Sequence, residues 1–552
     1  MPLLLAKLPL HSYDATFHIF FASHYLHHWF SPWNVKWYAG FSQTTYPPLP
    51  QQWVAVLSHI FGLEMAYMAV QFLSILLLVI GVYRFARLWV DDRSASFAAL
   101  AAIFLGSESF LVYAAGQLST TSAAPIYLNA LPYVYEYIRY GRSRAFLKGL
   151  VLLMAAAAAH HATLLFGSFL FALPVAALAY LDRDRFGEPS SNASVITRTV
   201  IMAVATIVAA VFVILPFWIA LIHNPVKQVP IPHASRANYI LSPLLGLNYF
   251  IIPWGAVILA IPFIIWRGAA VTRLRPLLAG FWLAFMIGLG GTTPMGHWVL
   301  GRAYEVLTME RFSYWATLLA LPILGLLMNH LVERFRLKAV ISLTVLGTLS
   351  CGFAVAWIIY KPAGDEHFGV DSSALWLNRD GHNNYRYITL GFGLPAVSAL
   401  ATETDATSVD GEWNSGRTLP ELTSHAGAAL SNSKFFGESG LEALRAVLDH
   451  ADKYGLKWVL VADPYYDPLL TFVGYRPVDR LENNVITVWG RDATPPAQPM
   501  NLNLKPPAWQ GLWWGIMPFG SSLLALLILF IPDPKYNDRL AGDELAENGG
   551  LV

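Results

Sequence analysis

A single cysteine, Cys351, in 552 residues excludes a disulfide framework and any cysteine-based zinc site. Charge is scarce as well. Asp, Glu, Lys and Arg make up 13% of the chain, against about 25% in an ordinary soluble domain. The 36 basic and 35 acidic residues leave a net +1, so no basic excess points to a nucleic-acid partner. Apolar residues fill the space: 56% of the chain is hydrophobic and the mean hydropathy is +0.47. This excludes a soluble enzyme, a disordered chain and a repeat solenoid. An α-helical polytopic membrane protein with one soluble insert fits the composition.

A helix needs roughly 20 apolar residues to cross a bilayer core. Such runs fall at 64–83, 94–114, 121–138, 149–162, 163–181, 199–222, 239–266, 276–290, 312–331, 339–360 and 508–531, about eleven spans. The apolar stretch 145–181 is too long for one crossing, and the costly pair His160 and His161 divides it. Positive charge then alternates between loops, as membrane topology requires. Arg84, Arg87 and Arg93, then Arg139 to Lys148, Arg183 to Arg198, Arg267 to Arg275, and Arg334 to Lys338 fall on one side with Lys535 and Arg539 of the tail. The topology rule accounts for these as plain Arg and Lys. The other side holds the sparser Lys7, Lys36, Lys227, Arg236, Arg302 and Arg311. Residues 1–63, the loops 223–238 and 291–311, and the insert 361–506 are thus expected outside, and the C-terminus in the cytoplasm. Met1 to Leu10 is too short to span, so either a first helix is missing from the chain, the favoured expectation, or the N-terminus is translocated. Four parts result: a first outer loop at 1–63, a transmembrane domain at 64–360, an extracytoplasmic domain at 361–506, and a last span with its tail at 507–552.

Polar residues return at 361–506. Tyr387 to Leu390, Lys457 to Val461 and Val485 to Trp489 read as strands. Leu441, Leu444, Val447, Leu448 and Ala451 recur at helical spacing, with Gly455 as cap. A small α/β or α+β domain is expected. The run Val409-Asp410-Gly411-Glu412-Trp413-Asn414-Ser415-Gly416-Arg417 reads either as a loop facing an acceptor or as a turn of ordinary polarity.

Candidate chemistry gathers on the outer side. Residues 11–53 hold His11, Asp14, His18, His24, His27 and His28 among Phe, Tyr and Trp. Asp14 and His18, four apart, share a helix face, and the aromatic neighbours suit a helix lying in the membrane interface. The same spacing suits a metal pair, so a divalent metal is an open alternative to no cofactor. Tyr46-Pro47-Pro48 ends any helix there. Glu108, His160, His161, His223, His233, Arg236, His297, Arg302, Glu305, Glu310 and Arg311 fall on the same side. A lipid phosphate would need such a combination: a carboxylate to take a proton, Arg or His to hold the phosphate, aromatics to stack.

Tyr13-Asp14 with His18, Trp37-Tyr38-Ala39-Gly40-Phe41, Tyr46-Pro47-Pro48-Leu49 and Glu310-Arg311-Phe312 resemble bacterial membrane proteins labelled "6-pyruvoyl-tetrahydropterin synthase-related". The insert resembles their outer domain in Gly391-Phe392-Gly393 and Val409-Asp410-Gly411. Pterin chemistry is not carried over, because no soluble core with three zinc-holding histidines is present. More broadly, an acidic residue in the first outer loop, the helix after it, the many spans and the outer domain resemble the GT-C glycosyltransferases. That resemblance implies a bacterial inner-membrane enzyme taking a sugar from a polyprenyl-phosphate donor, with the acceptor open. It implies Asp14 as base or metal holder. Ala15 follows Asp14 where some members carry a second acid, leaving Glu108 as the second carboxylate on topology alone. His18, Tyr46, Arg236, Arg302, Glu310 and Arg311 are the candidate substrate-binding residues. A lipid or glycan transporter, and a non-enzymatic membrane protein with a partner-binding outer domain, are the alternatives.

Overall fold

A computed structural model describes residues 7–184, 189–223, 233–360, 369–424 and 430–531. Arg185, Lys227, Lys535, Arg539 and the opening hydrophobic residues before Lys7 lie outside them. The chain begins with helix α1 (Ala15–His28), a two-stranded hairpin β1 (Trp33–Asn34) and β2 (Phe41–Ser42), and helix α2 (Leu49–Phe61). Pro48 precedes α2 and Pro50 lies in its first turn, where a missing N–H costs nothing.

The helical body follows: α3 (Leu63–Ala86), α4 (Asp92–Ala115), α5 (Leu118–Tyr140), α6 (Ser143–Ala159), α7 (His161–Leu181), α8 (Asn192–Val213), α9 (Leu215–His223), α10 (Pro243–Ala270), α11 (Arg275–Gly288), α12 (Glu310–Phe335) and α13 (Leu337–Tyr360). Among the described residues eight helices are long and apolar enough to cross a membrane: α3, α4, α7, α8, α10, α12, α13 and the final helix Ala508–Leu529. The expected spans at 121–138, 149–162 and 276–290 are helical too, as α5, α6 and α11, but do not meet the same measure. α5 carries a polar first turn and Asn129, while α6 has 17 residues and α11 has 14. The division at His160 is present as a helix break, with an extended backbone at that residue. Only 11% of the apolar window of α8 and 17% of that of α13 are covered by protein, as helices facing lipid require.

At the far end of the body from His161, the basic residues are more than topology signals. Arg273 grips the Asp182 carboxylate through Nε at 3.0 Å and Nη2 at 2.9 Å, and also donates to the Leu88 and Trp89 carbonyls. Tyr135 donates to the same carboxylate, and Arg139 Nε donates to the Asp182 carbonyl. Arg139 and Arg273 are buried, so these two have a structural role beyond the topology signal that the sequence assigns them. A guanidinium taken out of water needs this full set of acceptors. The network ties the ends of α3, α5 and α7 to the start of α11.

The soluble part begins with α14 (Val370–Asn378). It continues through β3 (Arg386–Leu390), α15 (Leu394–Glu403), β4 (Thr407–Ser408), α16 (Gly437–Asp449), β5 (Leu456–Val461), β6 (Arg476–Leu481) and β7 (Ile486–Gly490), before α17 (Ala508–Leu529). The sheet order is β4-β3-β5-β7-β6. β3 runs parallel to β4 and β5, and β7 runs antiparallel to β5 and β6. The expected strands and helix are present, with Gly455 capping the helical segment. Every residue of β3 is buried, as a strand covered on both faces requires.

The two parts share a core. Phe17, Phe20 and Phe21 of α1, with Trp37, Tyr38 and Phe41 of the hairpin, pack with Ile388, Val397, Ala401, Leu444 and Val459 of the soluble domain. Residues 15–22 are all buried. Phe17, Phe20 and Phe21 are covered by the sheet-bearing domain and Ala15, Ile19 and Ala22 by the helical body, while His27 and His28 at the end of the helix are exposed.

Candidate functional site

Asp14 is positioned by backbone. The last turn of α4 is a π-turn, Leu111–Ala115, closed by Gly116 with φ +72°. The Tyr13 N–H donates to the Ala114 carbonyl at 2.9 Å and the Asp14 N–H to the Ala115 carbonyl at 3.1 Å. A Cβ on Gly116 would stand 2.5 Å from Ser12 Oγ and 2.8 Å from the Asp14 nitrogen. Both the left-handed backbone and the close approach require glycine. Asp14 caps α1, yet its carboxylate makes no hydrogen bond among the described residues. Burial pushes that carboxyl up to about 7, with Arg311 opposing and Glu310 adding to the rise.

Arg311 reaches the same place from the start of α12. Its Nε donates to Gln117 Oε1 at 2.7 Å, and Gln117 Nε2 donates to Glu310 Oε1 at 2.8 Å. One amide thus holds Glu310 and Arg311 apart and oriented, and the two terminal nitrogens of Arg311 make no hydrogen bond among the described residues. His18, His160, His161 and His233 all lie within electrostatic reach of Arg311. Burial holds His18 down to about 3, against the opposing effect of the Gly116 carbonyl. It is therefore neutral. Its Nδ1 donates to the Gln51 carbonyl oxygen at 2.8 Å once the amide is oriented to donate to Pro47 and Pro48. His18 Nε2 and His161 Nδ1 are buried without a hydrogen-bond partner.

The soluble domain adds Glu412. Ser398 on α15 donates to its Oε2, while Oε1 is buried without a partner. Burial, with the Asp14 charge adding to it, raises the Glu412 carboxyl well above the usual range. Two carboxyls compete for charge in one enclosure. Neighbouring Asp410, pushed up to about 6 by burial, is a structural acceptor for the Ser431 N–H. Trp413 closes the wall: its Nε1 donates to Thr45 Oγ1 at 3.0 Å, and its ring meets Tyr46 edge-on at 4.8 Å. Tyr46 also packs on Phe17 at 5.3 Å, and burial raises its hydroxyl to about 12.

Sequence reading thus placed Asp14, His18, Tyr46, Glu310 and Arg311 in what proves to be one cluster. Arg236 stands at its edge, donating to the Tyr304 carbonyl at 2.7 Å and acting on Glu310 through space. Arg302 is exposed on a 3-10 turn, outside the groups that act on Asp14. Glu108 is buried in α4 with Tyr113 and Tyr314 as ionisable neighbours. Glu412, from the Val409–Arg417 run that the sequence left open between loop and turn, feels the Asp14 charge through space, while Glu310 is the carboxylate that acts on Asp14. Gln117 carried no signal in the sequence. Among the described residues no three His, Cys, Asp or Glu are grouped to hold a metal ion. His18 Nδ1 is engaged with Gln51, so Asp14 and His18 Nε2 are the atoms of that pair left to hold a ligand.

No family model and no curated protein matches the chain. Solved structures do. The fold is similar to ArnT from Cupriavidus metallidurans bound to undecaprenyl phosphate, with a TM-score of 0.56 and 15% identity, covering 90% of this chain and 97% of that one. It is also similar to the arabinofuranosyltransferase AftD from Mycobacteria, with a TM-score of 0.53 and 15% identity, covering 89% of this chain and 39% of that one. The likeness to ArnT and to the arabinofuranosyltransferase AftD is one of fold, and at that level it agrees with the GT-C resemblance. The narrower resemblance to pterin-synthase-related membrane proteins is not shown by these comparisons.

Proposed function

We propose that the chain is a glycosyltransferase that moves a sugar from a polyprenyl-phosphate donor to an acceptor hydroxyl at the outer membrane face. The observation that carries this reading is the meeting of an unengaged carboxylate, Asp14, with an arginine whose two terminal nitrogens are unengaged, Arg311, inside this fold. ArnT was solved with undecaprenyl phosphate, and a lipid phosphate is the anion that such an arginine suits.

The acceptor oxygen attacks the sugar C1 as its proton passes to the Asp14 carboxylate. The C1–oxygen bond to phosphate breaks on the opposite face, and the bonding pair leaves with the polyprenyl phosphate. Configuration at C1 inverts. Burial makes Asp14 a stronger base than a solvated aspartate. Arg311 receives the growing charge on the leaving phosphate, while His18, whose Nδ1 holds its proton for Gln51, keeps Nε2 as an acceptor for a nearby hydroxyl. Glu412, whose carboxyl burial raises well above the usual range, has an unpartnered Oε1 to offer a sugar or acceptor oxygen. No step passes through a metal.

The test is mass spectrometry of lipid-linked sugars and surface glycans in cells with and without the protein. Loss of one glycan with accumulation of one lipid-linked sugar, restored by wild type and not by Asp14→Asn, is expected. Equal restoration by Asp14→Asn overturns the assignment and points to translocation.

A further inference from the structure

A second enclosure stands beside the Asp14 cluster and is not used by the mechanism. It is a cleft of about 710 Å³ between the β1–β2 hairpin, helix α9, the 415–423 segment of the soluble domain, and the strap 503–510 that leads into α17. Among the described residues no Asp or Glu lines it. Hydroxyls and amides of Thr44, Thr45, Thr418 and Gln510 line one part, and Thr44 and Gln510 are buried. Lys505 and Arg417 add positive charge. Arg417 is shared with Asp410 and the Tyr38 hydroxyl, whereas Lys505 is exposed and makes no ion pair among the described residues. Phe217, Ala220 and Leu221 of α9 form an apolar wall, and Trp33 presents an indole. Thr45 takes the Trp413 hydrogen bond from the cleft side, and Tyr46 behind it belongs to the Asp14 cluster.

A polar, cationic end free of carboxylates suits a negatively charged polyol. A helix wall of Phe, Ala and Leu suits hydrocarbon. We propose that this cleft seats the acceptor as the hydroxyl-rich, anionic headgroup of an amphiphile whose chains run along α9. The word acceptor rests on the transfer reading above; the binding itself does not.

The full-length protein in phosphatidylcholine nanodiscs tests this, with retained lipid counted by native mass spectrometry. Phosphatidylinositol, an anionic polyol lipid, is the probe. Phosphatidylserine, anionic without a polyol, and monogalactosyl diacylglycerol, a neutral polyol, are the comparisons. Phosphatidylinositol is expected to be retained in preference to both. Retention should fall about tenfold in Ala220→Trp, which fills the cleft, and in Lys505→Gln, which removes one charge-assisted bond. Free inositol 1-phosphate should displace the lipid. Equal retention of the three lipids, retention unchanged in both variants, or indifference to inositol 1-phosphate overturns the inference. Lys505→Gln is a surface change that leaves folding alone, so a collapse of Ala220→Trp does not remove the test. Lipid binding without sugar transfer would sink the transfer reading only. Transfer without this lipid selectivity would sink the cleft assignment only.

Discussion

Gln117 Oε1 accepts a 2.7 Å hydrogen bond from Arg311 Nε while the same amide donates to Glu310. The amide prevents a cation and a carboxylate that are adjacent in sequence from neutralising each other, and leaves the outer guanidinium nitrogens for an anion. Arg311→Gln should raise the donor KM by about tenfold or more, and Arg311→Lys should recover part of it, because a point charge replaces a two-pronged donor. Gln117→Leu should move KM in the same direction with Arg311 intact. Steady-state kinetics with a polyprenyl-phosphate sugar reads both.

Asp14→Asn should lower turnover by about 100-fold or more with the fold retained. The wild-type rate should climb with pH through about 7 and level off above it, since the base works when ionised. The asparagine variant should show no such rise. Stability carries the opposite slope. A carboxyl whose folded value exceeds its unfolded value of 3.8 holds its proton more tightly when folded. Melting temperature in detergent should therefore fall as pH rises from about 4 to 7, and the fall should be shallower in Asp14→Asn. Asp410, also raised, keeps some slope in the variant.

Gly116→Ala should cost about 1–3 kcal/mol and should shift Asp14, because its Cβ meets the Asp14 nitrogen at 2.8 Å. Gly62→Ala supplies the contrast. Its φ is +75° but nothing lies within 4 Å of the new carbon, so strain alone applies, about 1–2 kcal/mol. Activity should drop sharply in the first variant and stay near wild type in the second. Chemical denaturation and turnover measured side by side check this.

Arg273→Ala strands the buried Asp182 carboxylate and should destabilise the helical body by about 3–5 kcal/mol. The lesion lies at the opposite end of α7 from His161, so whatever protein folds should keep its donor KM.

Much of the architecture was legible in the sequence, because long apolar runs and short β-branched and aromatic runs leave local signatures. The break at His160 followed from the cost of paired histidines in an apolar stretch. Asp14 and Arg311 could be placed on one side by loop charge alone. The rest is written in tertiary contacts. Glu412 lay in a run whose polarity was visible, but its approach to Asp14 depends on how α15 docks on α1. Gln117 is one amide between two helices, with nothing local to set it apart. The burial of Arg139 and Arg273 depends on Asp182, distant in sequence from both. The burial of α1 could not be read from its own residues, since its cover comes from the other end of the chain.

That cover has a consequence for biosynthesis. Phe20 and Phe21 leave the ribosome early, while Ile388, Leu444 and Val459, which sheathe them, follow some hundreds of residues later. At about 5–20 residues per second, α1 waits on the order of half a minute with its aromatic side uncovered. A helix made so far ahead of its cover stays unfinished until the sheet-bearing domain has been synthesised and has folded back onto it.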